Sequence, residues 1–177
     1  MQESSEKTLI QQLREATGPL HQKLDYAFFQ DINNLSKTEY LNFLIRHHSF
    51  YNALLENLDS KAQTFKNYLK ELISLIEKDL QNANQPIPRI KLGTSSISLH
   101  QEGVAYVVYG SSNGAAMINA KIEKQDWAKH LSRSFLSRTE ENWRPFFKEI
   151  NQHSKESDPI IESACKAFEM MHEISRQ

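Results

Sequence analysis

Apolar residues recur three or four positions apart along nearly the whole chain, and no stretch alternates as a half-buried strand would. The first stripe is Leu9, Leu13, Ala16, Leu20, Leu24 and Phe28, which predicts a helix from about Thr8 to Phe29. Gly18-Pro19 falls inside it, and a proline without an N–H should kink that helix or divide it. The segment Asp31 to Ser36 reads as a loop, and Ser36 with Glu39 fits a capping box at the start of the next helix. That helix carries Tyr40, Phe43, Leu44, His47, Tyr51, Leu54, Leu55 and Leu58 on one broad face. A third carries Phe65, Leu69, Leu72, Ile76 and Leu80, and is broken over Asn82 to Ile90 by two closely spaced prolines. A further helix is predicted from about Ser96 to Lys124, and a short one from Asp126 to Leu136. Thr139 then caps a helix with Trp143, Phe146, Phe147 and Ile150. Asp158-Pro159 starts the last, with Asp as N-cap and Pro in the first turn, burying Ile161, Ala164, Phe168 and Met171. The expectation is an all-α, single-domain bundle of seven or eight helices over residues 1–177, with 1–7 a flexible N-terminus.

Composition narrows this picture. The 177 residues are 39% apolar and 24% charged, enough for a packed core. Five glycines and five prolines are too few for a turn-rich β protein. A net charge of −1 with no basic block argues against nucleic acid or an anionic membrane as partner. The single Cys165 excludes an internal disulfide and suits a reducing compartment. No apolar run approaches the roughly 20 residues of a membrane span. The opening MQESSEKTLI lacks the apolar core of a secretory signal, so a cytoplasmic location is expected.

Two segments carry candidate chemistry. In LREATGPLHQKLD, Leu13 to Asp25, His21 falls at the edge of the apolar stripe, half facing the core. Asp25 is one turn later, where its carboxylate can accept from one ring nitrogen and leave the other as a lone-pair donor, the arrangement metal-bound imidazoles use. Spacing alone equally describes a structural histidine with an acidic neighbour. In the second segment, Gly110 and Gly114 lie four apart in a helix and leave one face bare for a full turn. Each helical glycine costs about 1 kcal/mol relative to alanine. Either a neighbouring helix packs closely on the bare face, the commoner case, or a flat ligand lies against the backbone.

Together these segments resemble the heme oxygenases, particularly the compact bacterial type. The proximal pattern L-[RK]-E-A-T-x-x-x-H-x-x-x-[ED] is met by Leu13, Arg14, Glu15, Ala16, Thr17, His21 and Asp25. The distal pattern Y-V-x-E-G-S-x-L-G-G becomes Tyr106, Val107, Val108, Tyr109, Gly110, Ser111, Ser112, Asn113, Gly114 and Ala115. Trp143 with Phe146, and Ala164 with Phe168, match weaker C-terminal patterns. The resemblance spans nearly the whole chain and implies a heme between the first helix and the distal helix. His21 would be the axial ligand to iron and Asp25 its orienting partner. Gly110 and Gly114 would let backbone lie over the ring, with Thr17, Tyr106, Ser111 and Asn113 around it. Arg14, Arg144 and Lys148 would meet the propionates. The implied activity is O2- and reductant-dependent cleavage of heme, both cofactor and substrate, to biliverdin with release of CO and ferrous iron. Electrons would come from an external reductase or ferredoxin, because no dinucleotide fingerprint is present. Three residues depart from the pattern: Tyr109 replaces an acid, Asn113 a leucine and Ala115 a glycine.

Other candidates read as structural. His47, next to His48, shares the buried stripe of the second helix, and a di-iron site built from His47 with Glu39, Glu56 or Glu102 lacks the Glu-x-x-His pairs such sites use. His100, His130, His153 and His172 fall on polar stretches and read as surface, and Cys165 as core packing. The rivals to a heme oxygenase are a non-enzymatic heme-binding protein of the same fold and a heme-free member, either a metal oxidase or an interaction domain.

Overall fold

The computed structural model describes residues 7–28, 31–87, 98–138 and 143–177. Six α-helices account for most of them: α1 Leu9–Phe28, α2 Lys37–Asn57, α3 Gln63–Asn82, α4 Gln101–Ile122, α5 Trp143–Glu149 and α6 Ser157–Ser175. Short 3-10 segments lie at Ile32–Asn34, Asp126–Ala128 and Ile150–Glu156. The architecture is the all-α bundle that the apolar spacing predicts. Its core is drawn from every long helix, with Leu9, Leu13, Tyr40, Leu44, Leu54, Leu69, Ile76, Val104, Ile160 and Ile174 buried together.

Helix α6 is the central support: α1, α2 and α4 all pack on it, and α2 also packs on α3. Among the described residues, α1 and α4 rest on α6 far more than on each other.

The helix starts follow local chemistry. Ser36 Oγ accepts from the Glu39 N–H at 3.2 Å while Glu39 Oε2 accepts from the Ser36 N–H at 2.9 Å, the expected capping box. An equivalent pair, which the sequence reading missed, opens α1: Thr8 Oγ1 accepts from the Gln11 N–H and Gln11 Oε1 from the Thr8 N–H. Helix α3 ends at Asn82, and Asn84 turns into the left-handed region at φ 57°, a conformation asparagine tolerates.

Several boundaries differ from expectation. Helix α1 is not divided; it runs through Pro19, which is exposed, and a Cβ added to the neighbouring Gly18 would meet nothing within 4 Å. Helix α4 begins at Gln101 rather than near Ser96. Leu99 is pinned beforehand in a parallel bridge with Leu58, its N–H donating to Asn57 O at 2.8 Å, and the His100 N–H donates to Ser163 Oγ. The segment Asp126 to Leu136 is one 3-10 turn and irregular turns rather than a helix, because the buried Asp79 carboxylate takes the backbone N–H groups of Ser134 and Phe135. Helix α6 starts at Ser157, so Asp158 sits in its first turn, and Ile160 rather than Ile161 is fully buried. Thr139 lies outside the described residues, as do residues 1–6 of the expected flexible N-terminus.

Candidate functional site

The site begins with an interruption in the packing of α1. Thr17 and Leu24 are 3% and 7% exposed, yet His21, between them along the same side of the helix, is exposed. This is more open than the half-buried setting expected from its place on the stripe. The ring is nonetheless placed: its centroid lies 5.8 Å from that of Phe168 on α6, with the planes at 62°. Phe168 itself is buried. Arg14 is exposed two turns earlier on the same edge of α1, about 10 Å along the axis.

The second component is one face of α4. At about 100° per residue, Gly103, Gly110, Gly114, Met117 and Lys121 fall close to one line along this helix. Contacts exist at the two ends of that line. At one end a Cβ on Gly103 would collide with Ile160 O and come within 2.9 Å of Ala164 N, so α4 and α6 meet there backbone to backbone. At the other end Lys121 Nζ donates to Asn33 Oδ1 at 2.6 Å, in the loop that follows α1. Between them, a Cβ on Gly110 or Gly114 would meet no atom of the described residues within 4 Å. Among the described residues, close helix packing on this face therefore occurs at Gly103, which the sequence reading passed over, rather than at Gly110 and Gly114. The signal was available: Gly103 lies two turns before Gly110 on the same face.

Helix α6 joins the two components. Ala164, beneath Gly103, and Phe168, against His21, are one turn apart on α6. Helix α6 thus contacts both the helix that carries the exposed imidazole and the helix that carries the glycine face. Positions 110 and 114 carry no side chain that a flat group lying there would have to displace.

The residues that depart from the distal pattern lie elsewhere around α4. Tyr109 turns away from the glycine face into an aromatic cluster, with ring centroids 5.9 Å from Phe65, 5.3 Å from Tyr68 and 5.1 Å from Phe146. It fastens α4 to α3 and α5. Ala115 is half-buried and packs on the core, so its methyl does not enter the open space. Tyr106 borders the glycine face and meets Phe147 edge-on at 5.9 Å.

Two expected site residues offer no polar group to this space. The hydroxyl of buried Thr17 donates to Leu13 O at 2.7 Å, and that of Ser111 to Val108 O at 2.7 Å. Both are committed to the backbone of their own helix, a common use of hydroxyls there. Arg144 and Lys148 are exposed on α5, which packs on α4 through Phe146 and Phe147. The side chains of Asp25, Ser112, Asn113 and Trp143 lie outside the described residues.

The remaining titratable candidates are structural. His47 is buried among Phe43, Tyr51 and Phe135, and its Nδ1–H donates to Phe43 O at 2.9 Å. Burial pushes it down to about 4. His48 Nε2 lies 3.0 Å from Glu77 Oε1. His100 is half-buried beside Glu102 rather than on the surface, as is His172. Among the described residues no group of three His, Cys, Asp or Glu is placed to hold a metal ion, which leaves the di-iron alternative without a donor set. Cys165 is half-buried, and burial raises its thiol, the opposite of what a nucleophile needs.

No helix among the described residues is long and apolar enough to cross a membrane. No protein-family model and no curated protein matches the chain. Among solved structures, the bundle has the fold of a heme oxygenase. One protein it resembles is the heme oxygenase of Neisseria meningitidis, solved in NO- and CO-bound forms, with a TM-score of 0.71 over 97% of this chain and 92% of that one. At 19% identity the likeness is one of fold.

Proposed function

We propose that this protein is a heme oxygenase, converting heme to biliverdin, CO and ferrous iron with O2 and electrons from an external reductase or ferredoxin. The observation that carries the reading is a pair of features on two helices that both pack on α6: an exposed imidazole on α1, and a stretch of α4 where an added Cβ at Gly110 or Gly114 meets no described atom within 4 Å. When bound, heme would supply the redox-active iron and the ring that is opened.

The chain's part is placement. His21 ligates iron through a ring nitrogen, and Phe168, edge-on at 5.8 Å, restricts how the imidazole can turn. Asp25, one turn later on α1, orients it. Gly110 and Gly114 would let α4 backbone lie against the heme, where a larger residue would occupy the space. Arg14, on the same edge of α1 as His21, offers a guanidinium to a propionate. Asn113 flanks the glycine face of α4, from where an amide can hydrogen-bond a polar group above the ring.

Titration of the full chain with ferric heme, followed by absorption spectra under reductant and O2, tests this. The expected result is a saturable heme band that gives way to the biliverdin band. A heme band that persists leaves a non-enzymatic heme-binding protein; no binding at all ends both readings.

A further inference from the structure

Met117 is an anomaly on the face just described. It is 50% exposed, one of two large apolar side chains so open among the described residues. An isolated exposed methionine is ordinary on a protein surface. This one lies on the line of Gly110 and Gly114, about 10 Å along α4 from Gly110, between the open stretch and the Lys121–Asn33 contact that ends it. The apolar side chain therefore stands at the one boundary of the bare backbone where α4 reaches toward the segment following α1. A thioether on a flexible stem adapts well to the edge of a flat aromatic ring.

We infer that Met117 is a positioning residue that seats the apolar rim of the macrocycle and so limits how the ring is rotated over Gly110 and Gly114. The inference rests on the heme reading of this site. Rotation decides which ring carbon faces the reacting side, so Met117 bears on which biliverdin isomer forms.

Oxidative footprinting with dilute hydrogen peroxide tests the contact without turnover, using redox-inactive gallium(III) protoporphyrin IX as probe. Peroxide transfers one oxygen to the thioether and leaves water, giving a sulfoxide that mass spectrometry counts residue by residue. Met170 and Met171 are buried and serve as slow internal references. In the free protein Met117 should oxidise much faster than either. With porphyrin bound, as read by absorption in the same sample, its rate should fall at least tenfold while the references hold. Unchanged oxidation of Met117 in the loaded protein overturns the inference and leaves the heme reading standing; failure to bind the porphyrin overturns both. Met117→Glu should weaken porphyrin binding at least tenfold, and Met117→Leu, of similar apolar volume, should recover most of it. Equal affinity of the Glu variant and the wild type also overturns the inference.

Discussion

The ring of His21 stands edge-on to the ring of Phe168, centroids 5.8 Å apart at 62°, so a residue from the first helix is steadied by one from the last. The two lie 147 positions apart in the chain. Replacing His21 tests its functional part cleanly, because an exposed side chain contributes little to stability. His21→Ala should shift stability by no more than about 0.5 kcal/mol in urea denaturation. The same variant should lose the axial-ligand signature in the ferric heme spectrum. An unchanged spectrum would remove His21 from the site.

Phe168 carries the opposite balance. It is buried, and truncation leaves a cavity in the contact between α1 and α6. Phe168→Ala should cost about 3–5 kcal/mol, measured by denaturant unfolding. Phe168→Leu keeps much of the volume and removes the edge-on contact. It should spare most of the stability while weakening heme affinity.

The glycines of α4 should divide into two classes. Gly103→Ala drives a methyl into Ile160 O and should destabilise the fold by about 1–3 kcal/mol. Gly110→Ala and Gly114→Ala meet open space and replace a poor helix former, so each should stabilise by about 0.5–1 kcal/mol. The same two substitutions should reduce heme affinity or turnover. Thermal melts beside heme titrations read both effects, and loss of stability at Gly110 or Gly114 would refute the open-face geometry.

His47 makes stability depend on pH. Burial lowers it from an ordinary value near 6.5 to about 4, so the folded chain refuses a proton that the unfolded chain accepts. Its contribution is complete above about pH 6.5 and is lost as pH falls toward 4. Between pH 7 and 4.5 this is worth about 2–3 kcal/mol. His47→Gln does not titrate and keeps an N–H for the Phe43 carbonyl. Its stability should fall less over that interval, by about that amount, in urea titrations at the two pH values.

Asp79 holds the irregular segment after α4. Its carboxylate accepts from Ser134 N at 2.8 Å, Phe135 N at 2.9 Å and Ser132 Oγ at 2.5 Å while only 1% exposed. Asp79→Ala strands these buried donors and should cost about 3 kcal/mol or more in chemical unfolding.

Periodicity made the helices legible because each must present one apolar face to a common core, and that demand is written locally at three- and four-residue spacing. The Ser36–Glu39 cap was equally legible, since both partners lie within one turn. The Asp126–Leu136 segment was not, because Asp79, which diverts its backbone N–H groups, sits roughly 50 positions earlier in the chain. The same distance explains the displaced start of α4, set by Leu58 and Ser163.

By itself the sequence determined an all-α bundle, placed a histidine on the first helix and put two glycines on one face of a later one. It left open whether that bare face meets a helix or a ligand, and it gave Tyr109, Ala115 and Gly103 no distinct roles. Tertiary structure gave these three their roles and put no described atom close over Gly110 and Gly114. A helix face acquires meaning from what stands opposite it, and α6 supplies backbone opposite Gly103 and Phe168 opposite His21, while no described atom lies within 4 Å of a Cβ added at Gly110 or Gly114.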